Sequence, residues 1–170
     1  MNNKLLVVGT MAYDSIETPF GKKVKVLGGC ATYIGLSASL FGTRCGIVSI
    51  IGGDFENSHI DLLKSRGLDL SGVKKIDDEK TFFWSGKYHK DLNIRTTLDT
   101  QLNVLTKFRP KVPLDFKDSS IVVLGNLDPN IQEEVLNQMY EPKLVILDTM
   151  NFWIESNREK LCQVISKTDV

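Results

Sequence analysis

Residues 27–55 read LGGCATYIGLSASLFGTRCGIVSIIGGDF, and three signals in this stretch decide the fold. Gly28-Gly29 opens a run of small and apolar residues, 31–41, interrupted only by Gly35. That composition predicts a buried helix starting at the glycine pair. Residues 44–51 form an apolar run of strand length closed by Gly52-Gly53, which predicts a strand buried on both faces. Asp54 is then placed as the N-cap of an amphipathic helix over residues 55–66, with Gly67 just past its end. Buried strands alternating with helices imply a parallel sheet covered on both sides.

The same alternation extends outward. Upstream, Lys4–Val8 is a short apolar run ended by Gly9, again a doubly buried strand. Between it and the glycine pair, segments near 14–18 and 22–26 flank Pro19-Phe20-Gly21, a turn signal that predicts a hairpin. Downstream, the texture between residues 73 and 108 changes. The alternation in 81–85 and 93–98 predicts extended strands with one wet face. Buried-strand composition returns at 119–124 and 143–147, followed by helical stretches at 129–140 and 155–166. The whole is one α/β domain over residues 1–170, with two β-rich insertions near 11–27 and 73–110. Thr168-Asp169-Val170 reads as the entry to another strand, so the chain is expected to be the N-terminal portion of a longer domain.

Composition narrows the partners. Lys plus Arg and Asp plus Glu number 21 each, so no net field draws nucleic acid or an anionic membrane. A small-molecule partner fits better. No apolar run approaches the roughly 20 residues of a membrane span, and the N-terminus lacks the apolar stretch of a signal peptide. Cys30, Cys45 and Cys162 are widely spaced, and His59 and His89 stand apart in sequence, which argues against a zinc site or a disulfide framework. A reducing cytoplasm is the expected compartment.

In an open α/β sheet, ligands bind beyond the carboxyl ends of the strands. That rule selects Asp14, Gly28-Gly29, Asn126 and Asp128, and Asp148 and Asn151. Carboxylates and amides suit a polyol, whose hydroxyls both donate and accept. Adjacent glycines admit a ligand close to the backbone, and a helix start offers free N–H groups. Each residue also has a plain structural reading. Asp14 could start a turn, Asp128 before Pro129 could cap a helix, and Asp148 and Asn151 could close a loop. Cys30, Trp84 and Trp153 read as packing residues, and His89 as a solvated loop residue. No GxxxxGK[ST] loop occurs, and no GxGxxG follows the first strand, which weighs against a Walker site and a dinucleotide-binding oxidoreductase.

Taken together, LLVVGTMAYDSI, the 27–55 stretch, LKSRGLDLSGV, VVLGNLDP and LVILDTMNFW resemble the ribokinase-like (phosphofructokinase-B-type) carbohydrate kinase family across essentially the full length. The resemblance implies a three-layer α/β/α core with a small β-sheet lid, the two insertions supplying the lid. It implies transfer of the γ-phosphate of ATP, with Mg²⁺, to a hydroxyl of a sugar or nucleoside. By position, Asp14 grips substrate hydroxyls, Gly28-Gly29 lie against the substrate, and Asn126-Leu127-Asp128 is similar to a Gln-Leu-Glu-type sugar loop. Asp148 and Asn151 fall where residues flank the phosphate path. Tyr33 stands where the family signature has Asn, so substrate specificity does not carry over.

The resemblance places the family's NxxE segment just beyond Val170 and its GxGD segment later still. The catalytic base and anion hole are therefore expected beyond Val170, and the 170-residue chain is expected to be inactive by itself. A homodimer through the lid is expected for the complete protein. The alternative is a naturally truncated, non-catalytic sugar-binding or interaction protein.

Overall fold

A computed structural model describes residues 4–170. In chain order the elements begin with β1 (Lys4–Val8), β2 (Ala12–Thr18), β3 (Gly21–Gly28), α1 (Cys30–Ser39), β4 (Arg44–Gly52), α2 (Asn57–Ser65) and β5 (Leu68–Ile76). There follow β6 (Phe83–Tyr88), β7 (Arg95–Gln101), 3-10 turns at Asn103–Lys107 and Leu114–Phe116, and β8 (Ile121–Leu124). The chain continues through α3 (Pro129–Leu136), β9 (Leu144–Leu147), α4 (Asn151–Ser156) and α5 (Arg158–Ile165).

Five strands form one sheet in the order β5-β4-β1-β8-β9, every pair parallel. Successive side chains of β1 face opposite ways, as strand geometry requires. Leu6 and Val8 join Val48, Ile50, Val122 and Leu124 under Val135 of α3, Val164 of α5 and Phe108 and Phe116 of the turns. Leu5 and Val7 join Cys45, Ile47 and Leu68 on the other face, against Ala31 of α1 and Leu63 of α2. The result is the three-layer α/β/α core. Gly35 lets α1 sit low on the sheet, since a Cβ there would meet Ile47 Cδ1 at 2.9 Å. Each fully buried Val, Leu or Ile contributes about 1.5–3 kcal/mol to this packing.

The second sheet has the order β3-β2-β6-β7. The hairpin expected around Pro19 is present, and β2 pairs parallel with β6 across a separation of about 70 residues in sequence. Both β-rich segments therefore meet in one sheet.

Four details differ from the sequence reading. Residues 68–76 form the edge strand β5 of the core, Val73 pairing with Ser49, so the second insertion begins later than residue 73. Its far end is also shorter, because 103–107 is a 3-10 turn whose Val104 is buried in the core. Asp54 is not a helix cap. Its Oδ1 accepts from Thr81 N and Oγ1, both at 2.7 Å, and α2 starts only at Asn57. The helix expected over 155–166 is two helices, α4 beginning at Asn151 and breaking at Asn157, where φ is −143° and ψ 44°.

Candidate functional site

The strand order fixes where a crevice opens. From β1 the chain crosses to β4 on one side, and the later strands β8 and β9 lie on the other. The carboxyl ends of β1 and β8 therefore flank the switch point of the sheet, the place where such sheets bind ligands. The two ends are glycines: Gly125 N donates to Val8 O at 2.7 Å, and Gly9 follows β1 directly. A Cβ on Gly9 or Gly125 would strike Cys30 Sγ, at 2.6 and 2.7 Å respectively. Cys30 opens α1, receives Thr10 N at 3.3 Å on its sulfur, and donates its own N–H to Thr10 Oγ1 at 3.2 Å.

Next along this seam is the glycine pair. Gly29 caps α1 at φ 94°, a left-handed conformation, and its α-carbon lies against the Thr10 carbonyl. Gly28 ends β3 opposite Ala12, and a Cβ there would overlap the carboxylate of Asp14. The side chain of Asp14 makes no hydrogen bond to any described residue. Burial pushes its carboxyl up from 3.8 to about 6. A buried acceptor without a protein partner is costly, and a ligand hydroxyl would relieve it.

On the β8 side, Asn126 Oδ1 accepts from Trp153 Nε1 at 3.0 Å. Asp128 caps α3, its Oδ1 accepting from Asn130 N and Nδ2 at 2.8 Å each. Its plain reading as a helix cap is thus met in full. Asp148 follows β9; its N–H donates to Leu124 O at 2.8 Å and its carbonyl accepts from Gln132 Nε2 at 3.0 Å. Its side chain and that of Asn151, the first residue of α4, are exposed. Tyr33 is 56% exposed and donates to Leu27 O at 2.9 Å, bordering a groove of about 320 Å³ between α1 and α2 with Leu40, Leu62 and Arg66.

A larger cavity, about 440 Å³, lies on the opposite face of β2 from Asp14 and is lined by Tyr13, Lys25, Lys80, Phe83 and Gln101. Tyr13 Oη accepts from Glu56 N at 2.9 Å and meets His59 Nδ1 at 3.3 Å, so His59 is a partnered residue. Trp153, Gln132 and Thr10 were missed as site residues. Their roles depend on partners 16–27 residues away, and no local pattern marks them. No helix among the described residues is long and apolar enough to cross a membrane.

No protein-family profile matches the chain. The chain is 28% identical over 170 residues to the cytidine kinase of Thermococcus kodakarensis, covering 98% of this chain and 59% of that protein. It thus spans about three fifths of the length of that relative. In structure it matches the Methanocaldococcus jannaschii nucleoside kinase, an archaeal member of the ribokinase family, with TM-score 0.74 at 21% identity, covering 98% of this chain and 59% of the other. The Burkholderia thailandensis nucleoside kinase in complex with inosine matches with TM-score 0.73 at 18% identity, covering 96% and 58%. Its complex with ADP-inosine gives the same TM-score of 0.73 at 17% identity, with the same coverage.

Proposed function

We propose, from the premise that this is a ribokinase-like chain, that it holds the acceptor nucleoside of a kinase that phosphorylates a nucleoside hydroxyl. The observation that carries this reading is Asp14: a partly buried carboxylate without a protein partner, held beside the glycine pair that opens α1. Ionised, it accepts hydrogen bonds only, so it recognises a group that donates, and a ribose hydroxyl is such a group. Gly28 leaves room for the Asp14 carboxylate, Gly29 lets the start of α1 pack against Thr10, and Asn126 follows β8 on the other side of the switch point. A nucleoside is favoured over a free sugar because the sequence relative is a cytidine kinase and a structural relative was solved with inosine. The second sheet, attached beside Asp14 through β2 and β3, serves as the lid.

ATP and Mg²⁺ belong to the reaction of the complete protein. Among the described residues no three His, Cys, Asp or Glu are grouped to hold a metal ion. Asp148 and Asn151 are assigned to the phosphate path by position alone. Phosphoryl transfer depends on charge stabilisation at the transferred group, so the 170-residue chain binds the acceptor without turning it over.

Isothermal titration of the chain with cytidine, inosine and ribose tests this reading. We expect millimolar binding, nucleosides ahead of ribose, and loss of binding in Asp14→Asn. Cytidine affinity unchanged by Asp14→Asn would overturn it, as would ADP release by the chain in a coupled assay.

A further inference from the structure

Asn126 carries both a donor and an acceptor, and the structure partners only the acceptor. The indole Nε1–H of Trp153 lies 3.0 Å from its side chain. An indole N–H can only donate, so the atom it meets is Oδ1. Asn126 Nδ2 has no hydrogen-bond partner among the described residues. We infer that Trp153 is a positioning residue that locks Asn126 as a hydrogen-bond donor toward the acceptor crevice, a role that rests on the acceptor-site reading above.

The surroundings make the lock rigid. Trp153 sits in α4, its backbone N–H bonded to Met150 O at 3.0 Å, and Phe152 meets the indole edge-on at 4.8 Å. The loop from β9 to α4 is tied to the loop bearing Asn126 at two points. Asp148 N reaches Leu124 O, and the fully buried Gln132 bridges Gly125 O at 2.9 Å and Asp148 O at 3.0 Å through one Nε2. The ends of β8 and β9 are therefore stitched together, which holds the loop bearing Asn126 beside the loop that leads to α4 and Trp153.

The crevice is thus presented with opposite demands from its two sides. Asp14, ionised, only accepts; Asn126, with its oxygen turned to the indole, presents its NH₂ as the donor. A ligand fits when it offers a donating hydroxyl to Asp14 and an accepting oxygen to Asn126. A nucleoside sugar meets both demands, and an analogue carrying an ammonium in place of the hydroxyl facing Asn126 does not.

Amide-exchange NMR on the ¹⁵N-labelled chain tests the lock without ligand. The Trp153 indole proton should exchange with water more slowly than that of Trp84, whose bond to Thr97 is exposed and longer at 3.3 Å, and Asn126→Leu should speed it. Cytidine titration then reads the role. Trp153→Phe frees the amide to flip, and Asn126→Asp keeps the indole bond while removing the donor. Each should weaken binding about threefold to tenfold, the range for one hydrogen bond, while thermal melts show a folded chain. Equal indole exchange in the wild type and Asn126→Leu overturns the lock, and wild-type cytidine affinity in Asn126→Asp overturns the donor role. A chain that binds neither nucleoside nor ribose removes the acceptor reading and the specificity role together, and the indole exchange still decides the lock.

Discussion

Gly28 backs onto Asp14: a side chain at residue 28 would occupy the space of the Asp14 carboxylate. The two residues sit on adjacent strands, two positions apart in the β2–β3 ladder, where Ala12 pairs with Gly28 and Asp14 with Val26. The glycine therefore makes room for the acceptor atoms of the site. Gly28→Ala should lower stability by about 1–3 kcal/mol, the cost of overpacking a tight site, and should displace the carboxylate enough to abolish nucleoside binding. In an Asp14→Ala background the same substitution should cost about 1 kcal/mol less or better, because its clash partner is gone. Chemical denaturation of the four variants gives the coupling; additive losses would show that the contact is not the cause.

Asp14 also links the site to pH. Its carboxyl titrates near 6 in the folded chain and at 3.8 when unfolded. The folded state therefore holds the proton more tightly, and this contribution to stability is complete below pH 3.8 and lost as pH rises through 6. At neutral pH the bare carboxylate is a burden of about 1–3 kcal/mol. Asp14→Asn should raise the melting temperature at pH 7.5, by about 2–4 °C per kcal/mol, with the gain shrinking toward zero at pH 4. Nucleoside binding should move the opposite way, strengthening from pH 5 to pH 7 in the wild type as the acceptor ionises. A melting temperature lowered by Asp14→Asn at pH 7.5 would contradict the desolvation argument.

Asp128 is expected to act on stability first. Its carboxylate caps α3 behind Pro129, satisfying one of the orphan N–H groups of the first turn. Asp128→Ala should cost about 0.5–2 kcal/mol and leave cytidine affinity within about twofold. Urea melts and titration on one preparation separate the two effects. A large loss of affinity without a loss of stability would return Asp128 to the ligand.

Association is expected through the second sheet. Apolar side chains of several kinds stand on that sheet. Phe82, Phe83, Trp84 and Tyr88 are half-buried, whereas Val24 of β3 and Leu98 of β7, with Ile94 beside it, face solvent. Val24 and Leu98 stand on the two edge strands of the sheet, and exposed apolar side chains on a sheet mark an interaction surface. Sedimentation at micromolar concentration should give a dimer, and Leu98→Glu or Val24→Glu should shift it to monomer. A monomeric wild type, or a dimer indifferent to both substitutions, counts against this interface.

Much of the core was legible in the residues. The runs at Lys4–Val8 and 44–51 announce doubly buried strands because a central parallel strand needs apolar side chains on both faces. Asp128-Pro129 announces a helix start because proline suits the first turn. Residues 73–76 were placed in the insertion because β5 lies at the sheet edge, with polar residues such as Ser71, Lys74 and Lys75 exposed. Its sequence therefore lacks the apolar run of its neighbours. The break at Asn157 was hidden because 151–165 carries neither glycine nor proline.

The sequence by itself determined the class of sheet, the place of the glycine pair at the start of α1, and a short set of polar strand ends. The tertiary structure alone decided which of those ends act together. Asp14 is left without a partner while Asp54 is held by Thr81, and Asn126 is held by Trp153, 27 residues on. Periodicity and turn chemistry are local properties that neighbouring residues fix. A buried hydrogen bond between distant segments exists only once strand order and helix packing bring its donor and acceptor within about 3 Å.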